Sequence, residues 1–172
     1  MLLWIHDRLR KDDKGFTLIE LMVVVLIIAI LIAIAIPTFL GARKRAQDRQ
    51  AQSNLRNALT SEKTYYADAQ IYTGVATDLS AIETNINFTT RDAASRGALA
   101  TLDSAAVPAN QAVEIESLSK SGTMFCILDV SQTLTTAANY NGSTVAGTYY
   151  AKDTGGASCT SSSTWGPTTA SW

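Results

Sequence analysis

The sequence predicts an α+β protein in which a long N-terminal helical spine packs on a small antiparallel sheet head. Three observations predict it. Apolar residues are concentrated between Leu18 and Leu40. A helix-spaced pattern continues beyond them to about Tyr66. The last third of the chain holds short strand-like runs separated by turn signals. The expected organisation is a charged leader at 1–15, a membrane helix at 16–40, an amphipathic continuation at 41–70 and a globular head at 71–172.

The first segment reads MLLWIHDRLRKDDKG, with charged residues crowded just before Gly15. An ordinary secretory signal has its apolar core first and small residues at the cleavage site after it. Here the order is reversed. A cut after Gly15 would leave the apolar helix in the product.

From Leu21 to Ile36 the chain is LMVVVLIIAILIAIAI, without one polar side chain. Counted from Phe16 the stretch has 21 residues, about 31 Å as helix, which matches the hydrocarbon thickness of a bilayer. No face is polar, so it is not a surface-lying amphipathic helix. The remaining chain is too small and too polar to wrap it as a core helix. Four basic residues precede the span (Arg8, Arg10, Lys11, Lys14) and four follow it closely (Arg43, Lys44, Arg45, Arg49), so the positive-inside rule is tied. The cysteines and the Ser/Thr-rich tail favour placing the head outside.

Glu20 interrupts this apolar beginning. A carboxylate in lipid costs a few kcal/mol, which makes it a functional candidate. A Glu near a helix start also suits the helix dipole and can reach the headgroups. Chemistry alone leaves both readings open.

Pro37 ends the apolar run and Gly41 follows it, which predicts a kink or local melting. Helix then resumes, with Ala51, Leu55, Ala58, Leu59, Glu62 and Tyr66 at helical spacing. Apart from Glu62 this stripe suits a sheet. Arg43, Lys44, Arg45, Arg49 and Arg56 face elsewhere, as a membrane-surface anchor, a solvated face or a filament or DNA contact. From Phe16 to about Ala69 the helix would run about 80 Å, too long and too apolar in its first half to be a globular element.

Tyr72-Thr73-Gly74 breaks the helix, and residues 75–111 read as irregular, with a short helical candidate near Ala93–Leu102 and a turn at Pro108. Strands are expected at Ala112–Leu118, Met124–Val130 and Val145–Ala151, separated by Ser121-Gly122 and Asn141-Gly142. In the first, Val113 and Ile115 share one face, and Glu114 and Glu116 the other. The Gly/Ser/Thr-rich tail carries Trp165 and Trp172, suited to packing on the sheet or meeting a neighbour.

Composition excludes several function classes. The 172 residues carry a net charge of −1, so no global basic field points to nucleic acid. His6 is the sole histidine, which removes the commonest general base and metal ligand. No phosphate-binding glycine loop or metalloprotease motif is present, so neither catalytic residues nor a cofactor are expected. Cys126 and Cys159 are too few for a zinc site. In an exported domain they read as one disulfide, the alternative being two buried free thiols.

The run Lys14-Gly15-Phe16-Thr17-Leu18-Ile19-Glu20 resembles the class III signal of type IV pilins and related filament subunits. The resemblance covers the first forty-odd residues closely. It implies that a prepilin peptidase cuts between Gly15 and Phe16 and methylates the new amine of Phe16, and that Glu20 is the assembly glutamate. It implies the pilin fold, with the segment between Cys126 and Cys159 as a surface loop. It also implies homopolymerisation, a membrane-held precursor before assembly, an extracellular fimbrium after it, and a platform protein with cytoplasmic ATPases driving growth. No glycine lies between Phe16 and Ile36, where many relatives carry one. A major pilin is the expected role. A pseudopilin of a type II secretion system and a minor pilin acting as DNA receptor or adhesin share the same N-terminus. A membrane-anchored enzyme is disfavoured by the missing chemistry.

Overall fold

A computed structural model describes residues 15–93, 96–102, 109–135, 145–156 and 159. The leader up to Lys14, Pro108, Asn141-Gly142, Trp165 and Trp172 lie outside the described residues. The elements in chain order are α1 (Leu18–Ala69), α2 (Ala76–Ile82), β1 (Leu99–Leu102), β2 (Ala112–Leu118), β3 (Met124–Val130) and β4 (Gly147–Asp153).

The chain divides into two compact units, 1–42 and 43–172. In the first, the apolar part of α1 is exposed on all sides: Leu21, Leu26, Leu31 and Ile34 are each about 60% accessible. α1 is the one described helix long and apolar enough to cross a membrane. The helix continues on both sides of Pro37 and through Gly41. Proline at 37 brings no N–H for the Ala33 carbonyl. At the next residue the Thr38 hydroxyl donates to the carbonyls of Ala35 (2.8 Å) and Ile34 (3.2 Å).

In the second unit the strands form an antiparallel meander in the order β1-β2-β3-β4. Val113 pairs with Asp129 and Ile115 with Ile127, and Ile127 in turn with Tyr150. The helix stripe packs on the inner face. Ala51, Leu55 and Ala58 share one core with Val113, Ile115, Phe125 and Ile127. Small alanines on the helix bring its backbone near the sheet, and Leu55 fills the space between them. Glu62, expected to stand apart from this stripe, is buried within it at 0% accessibility.

α1 ends at Ala69, slightly before the expected break. Gln70 takes a left-handed conformation (φ 58°) and its N–H bonds the Tyr66 carbonyl at 2.8 Å. Loop 70–74 is then pinned to the sheet side, the Gln111 side chain donating to the Gln70 carbonyl and the Tyr72 N–H to that of Asn110.

Three expectations are corrected. The helical candidate near Ala93–Leu102 contains β1, because Leu99 and Leu102 find register opposite Glu116 and Val113. Sheet pairing there outweighs the helix propensity of Ala and Leu. The segment after residue 75 is not wholly irregular: α2 buries Leu79 into the core. The last strand runs Gly147–Asp153, two residues beyond the expected Val145–Ala151. β2 is also buried on both faces, and Cys159 packs with Met124, Cys126 and Ala151 on the outer one.

Gly97 illustrates how tightly the 87–98 loop is drawn in. A Cβ there would lie 2.4 Å from the Thr90 carbonyl oxygen and 2.7 Å from both Asp92 N and O. Its own carbonyl receives the buried Ser117 hydroxyl at 2.7 Å.

Candidate functional site

Gly15 and Phe16 lie in extended chain just before α1, with Phe16 76% accessible. Glu20 sits in the first helical turn. Its carboxylate accepts the Thr17 N–H at 2.9 Å and the Thr17 hydroxyl at 2.7 Å, while the Thr17 hydroxyl oxygen faces the Glu20 N–H at 3.3 Å. This is a reciprocal capping box: two donors at the helix start are satisfied by two side chains three residues apart. Sequence reasoning took Thr17 only as part of the junction. The signal was nevertheless present, as Thr-x-x-Glu ahead of an apolar run.

The cap resolves how a carboxylate can open a membrane helix. One of its oxygens accepts two bonds from its own chain, and it lies on the positive end of the helix dipole. The first seventeen or so residues of α1 beyond it offer only hydrocarbon.

In the head, Cys126 on β3 and Cys159 form a disulfide. Both are buried, with Met124 and Ala151 around them. Glu116 on β2 adds a second tether, accepting the Cys159 N–H at 3.1 Å and pairing with Arg91 at 3.4 Å. A Glu114 oxygen and the two sulfurs lie within 4.8 Å of one another. The sulfurs are bonded to each other, so this cluster does not present thiolate ligands to a metal. Glu114 and Glu116, read in the sequence as a strand face, thus both lie against Cys159.

A second group of buried polar residues joins the end of α1 to β3. Asp129, 4% accessible, accepts the Tyr72 hydroxyl, the Thr148 hydroxyl and the Lys63 ammonium at 3.3 Å. Glu62 accepts the Thr73 N–H at 3.2 Å through one oxygen, and its other oxygen has no hydrogen-bond partner among the described residues. Burial pushes the Glu62 carboxyl up to about 7; the Thr73 bond works against this and the Asp129 charge adds to it. Burial, then the bond to Asp129, pushes the Tyr72 phenol far above its usual range. Tyr66 stacks at 4.8 Å on Tyr72 and donates to Gln111 at 2.9 Å. The nearness of Glu62 to the Asp129 charge is a tertiary fact that no local motif announces.

At the lower end of the head, Asp48 of α1 accepts the hydroxyls of Ser119 (2.7 Å) and Ser121, tying the helix to the β2–β3 turn. Arg43, Lys44, Arg45 and Arg49 beside it are exposed.

These features define a class of chain: a self-capped, fully apolar helix that needs a covering from outside its own fold, joined to a disulfide-closed α+β head. Comparison with known proteins agrees. Residues 10–36 match the family model for the prokaryotic N-terminal methylation motif. The chain is 40% identical over 73 residues to the type IV major pilin protein PilA of Myxococcus xanthus, covering 42% of this chain and 33% of that one. It is 48% identical over 63 residues to the type IV wide pilus major component PilA4 of Thermus thermophilus, covering 37% and 48%. It is also 40% identical over 60 residues to the type II secretion system core protein G of Escherichia coli, covering 32% and 41%. The chain therefore spans less than half the length of each of these relatives. The N-terminal part of the chain thus carries the methylation motif and is similar to type IV major pilins.

Proposed function

We propose that this chain is a structural subunit of a type IV pilus, cut between Gly15 and Phe16, methylated on Phe16 and polymerised through its N-terminal helix. One observation carries the reading: an apolar helix exposed on every side opens on a single carboxylate, Glu20. Cleavage creates a cationic amine at Phe16 in the same apolar surroundings. A staggered neighbour offers Glu20 to that amine, because an unpaired buried charge is costly and a satisfied pair much less so. The pair then sets register between copies, and the hydrocarbon face supplies the contact area. Pro37 and Gly41 provide a point where the helix yields on packing.

The precursor is held in the cytoplasmic membrane with the head outside, and the product is an extracellular fibre. A prepilin peptidase, a platform protein and cytoplasmic ATPases are the partners this reading calls for. Adhesion, twitching motility and DNA uptake are the uses such a fibre serves.

The similarity to core protein G supports a second reading, a pseudopilin of a type II secretion system. The Cys126–Cys159 closure of the outer sheet face favours the surface-exposed pilus. Electron microscopy of a deletion strain and its complement separates the two. Surface fibres lost on deletion and regained on complementation support the pilus. A secretion defect in cells that never carry such fibres contradicts it.

A further inference from the structure

The described head exposes four large apolar side chains, and three of them, Ile71, Val75 and Ile82, fall between the end of α1 and the end of α2. A groove of about 480 Å³ lies in the same region, lined by Tyr65, Asp68, Ala69, Asp78 and Ile82. It combines a phenol ring, an aliphatic wall and two carboxylates. Asp78 accepts only the Thr73 hydroxyl, at a long 3.3 Å, and neither Asp68 nor Asp78 has an ion-pair partner among the described residues.

Such a groove suits a long cationic side chain. The aliphatic stem of an arginine lies along Ile82 and Tyr65, and its guanidinium meets the carboxylates. It repels anionic lipid and nucleic acid. The matching surface is on this chain: Arg43, Lys44, Arg45 and Arg49 are exposed and form no ion pair among the described residues. Lys63 and Arg91, in contrast, are engaged by Asp129 and Glu116. One chain cannot satisfy both surfaces itself. Arg45 and Asp68 lie on the same helix, 23 residues apart, about 35 Å along its axis.

We infer that the groove between α1 and α2 receives the Arg43–Arg49 segment of a second copy of this chain, displaced by about 35 Å along α1. The inference rests on the filament reading above, and it adds the head-to-head contact that reading lacks. Complementary charge at this contact selects the register in which heads stack, while the apolar helices supply the bulk of the association.

The test uses the full chain in cells that assemble it, with sheared filament yield as the readout. The double variant Asp68→Lys/Asp78→Lys is expected to lower yield about tenfold, the effect of losing roughly 1.4 kcal/mol. Arg45→Glu/Arg49→Glu is expected to do the same. Combining all four is expected to restore yield, since the charges are then exchanged. Unchanged urea midpoints of the detergent-solubilised variants exclude misfolding as the cause. Wild-type yield from the acidic-site variant overturns the inference. So does a loss confined to the basic variant, which places Arg43–Arg49 against lipid headgroups, and so does a combined variant no better than either alone. A wild-type strain without any filament instead defeats the filament reading, before any variant is made.

Discussion

The Glu20 carboxylate accepts both the backbone N–H and the hydroxyl of Thr17, at 2.9 and 2.7 Å, before any neighbour is present. One oxygen of the glutamate that would bind a neighbour's amine thus already has donors within the single chain. On the proposed assembly, Glu20 would exchange or add partners without the carboxylate being left bare in an apolar medium.

Capping and charge pairing at Glu20 are separable by substitution. Glu20→Gln keeps an oxygen able to accept from Thr17 but removes the charge. Membrane content of the subunit should be unchanged and sheared filament yield should fall at least tenfold, as expected for losing more than about 1.4 kcal/mol at each contact. Wild-type yield from Glu20→Gln would show that the charge is dispensable.

The Glu62 carboxyl gives the head a pH-dependent stability. Its folded value is raised to about 7 from 4.5, so the folded state holds a proton that the unfolded chain has released above about pH 4.5. Stability is therefore full below pH 4.5, falls as pH rises to about 7, and is flat beyond; the total is on the order of 3 kcal/mol. Urea unfolding of the detergent-solubilised chain at pH 5 and 8 should show this loss, and Glu62→Gln should abolish it. An equal slope in the variant would assign the dependence to another group.

Breaking the disulfide should free Cys159 from the outer sheet face. With a sequence separation of 33 between the cysteines, the double variant Cys126→Ser/Cys159→Ser should lose about 2–4 kcal/mol in urea unfolding. The Glu116 bond to Cys159 N–H also holds Cys159, so Glu116→Ala, which removes that acceptor, should cost more in the double variant than in the wild type. Additive losses would mean that the two tethers act independently.

Gly97→Ala should destabilise the head by about 1–3 kcal/mol, because the new methyl meets backbone atoms of Thr90 and Asp92 that cannot swing aside. An unchanged urea midpoint would show that the 87–98 loop shifts freely.

What was legible in the sequence followed local chemistry. The apolar run, the Ala51–Leu55–Ala58 stripe and the runs at β2 and β3 each carry their own period, and the structure keeps them. What was not legible depends on distant partners. β1 reads as helix until β2 lies beside it. Glu62 and Asp129 are far apart in sequence and ordinary in isolation, and only the packing of α1 on β3 makes them a buried pair. α2 was missed because it is seven residues long and buries only Leu79, too little for a periodic signal.

The central claim is that Phe16 becomes the first residue of an assembled subunit. Mass spectrometry of the filament fraction sheared from the cell surface tests it directly. The expected result is a chain that begins at N-methylated Phe16 and lacks residues 1–15. A chain in that fraction that still begins at Met1, with Gly15–Phe16 intact, would contradict it.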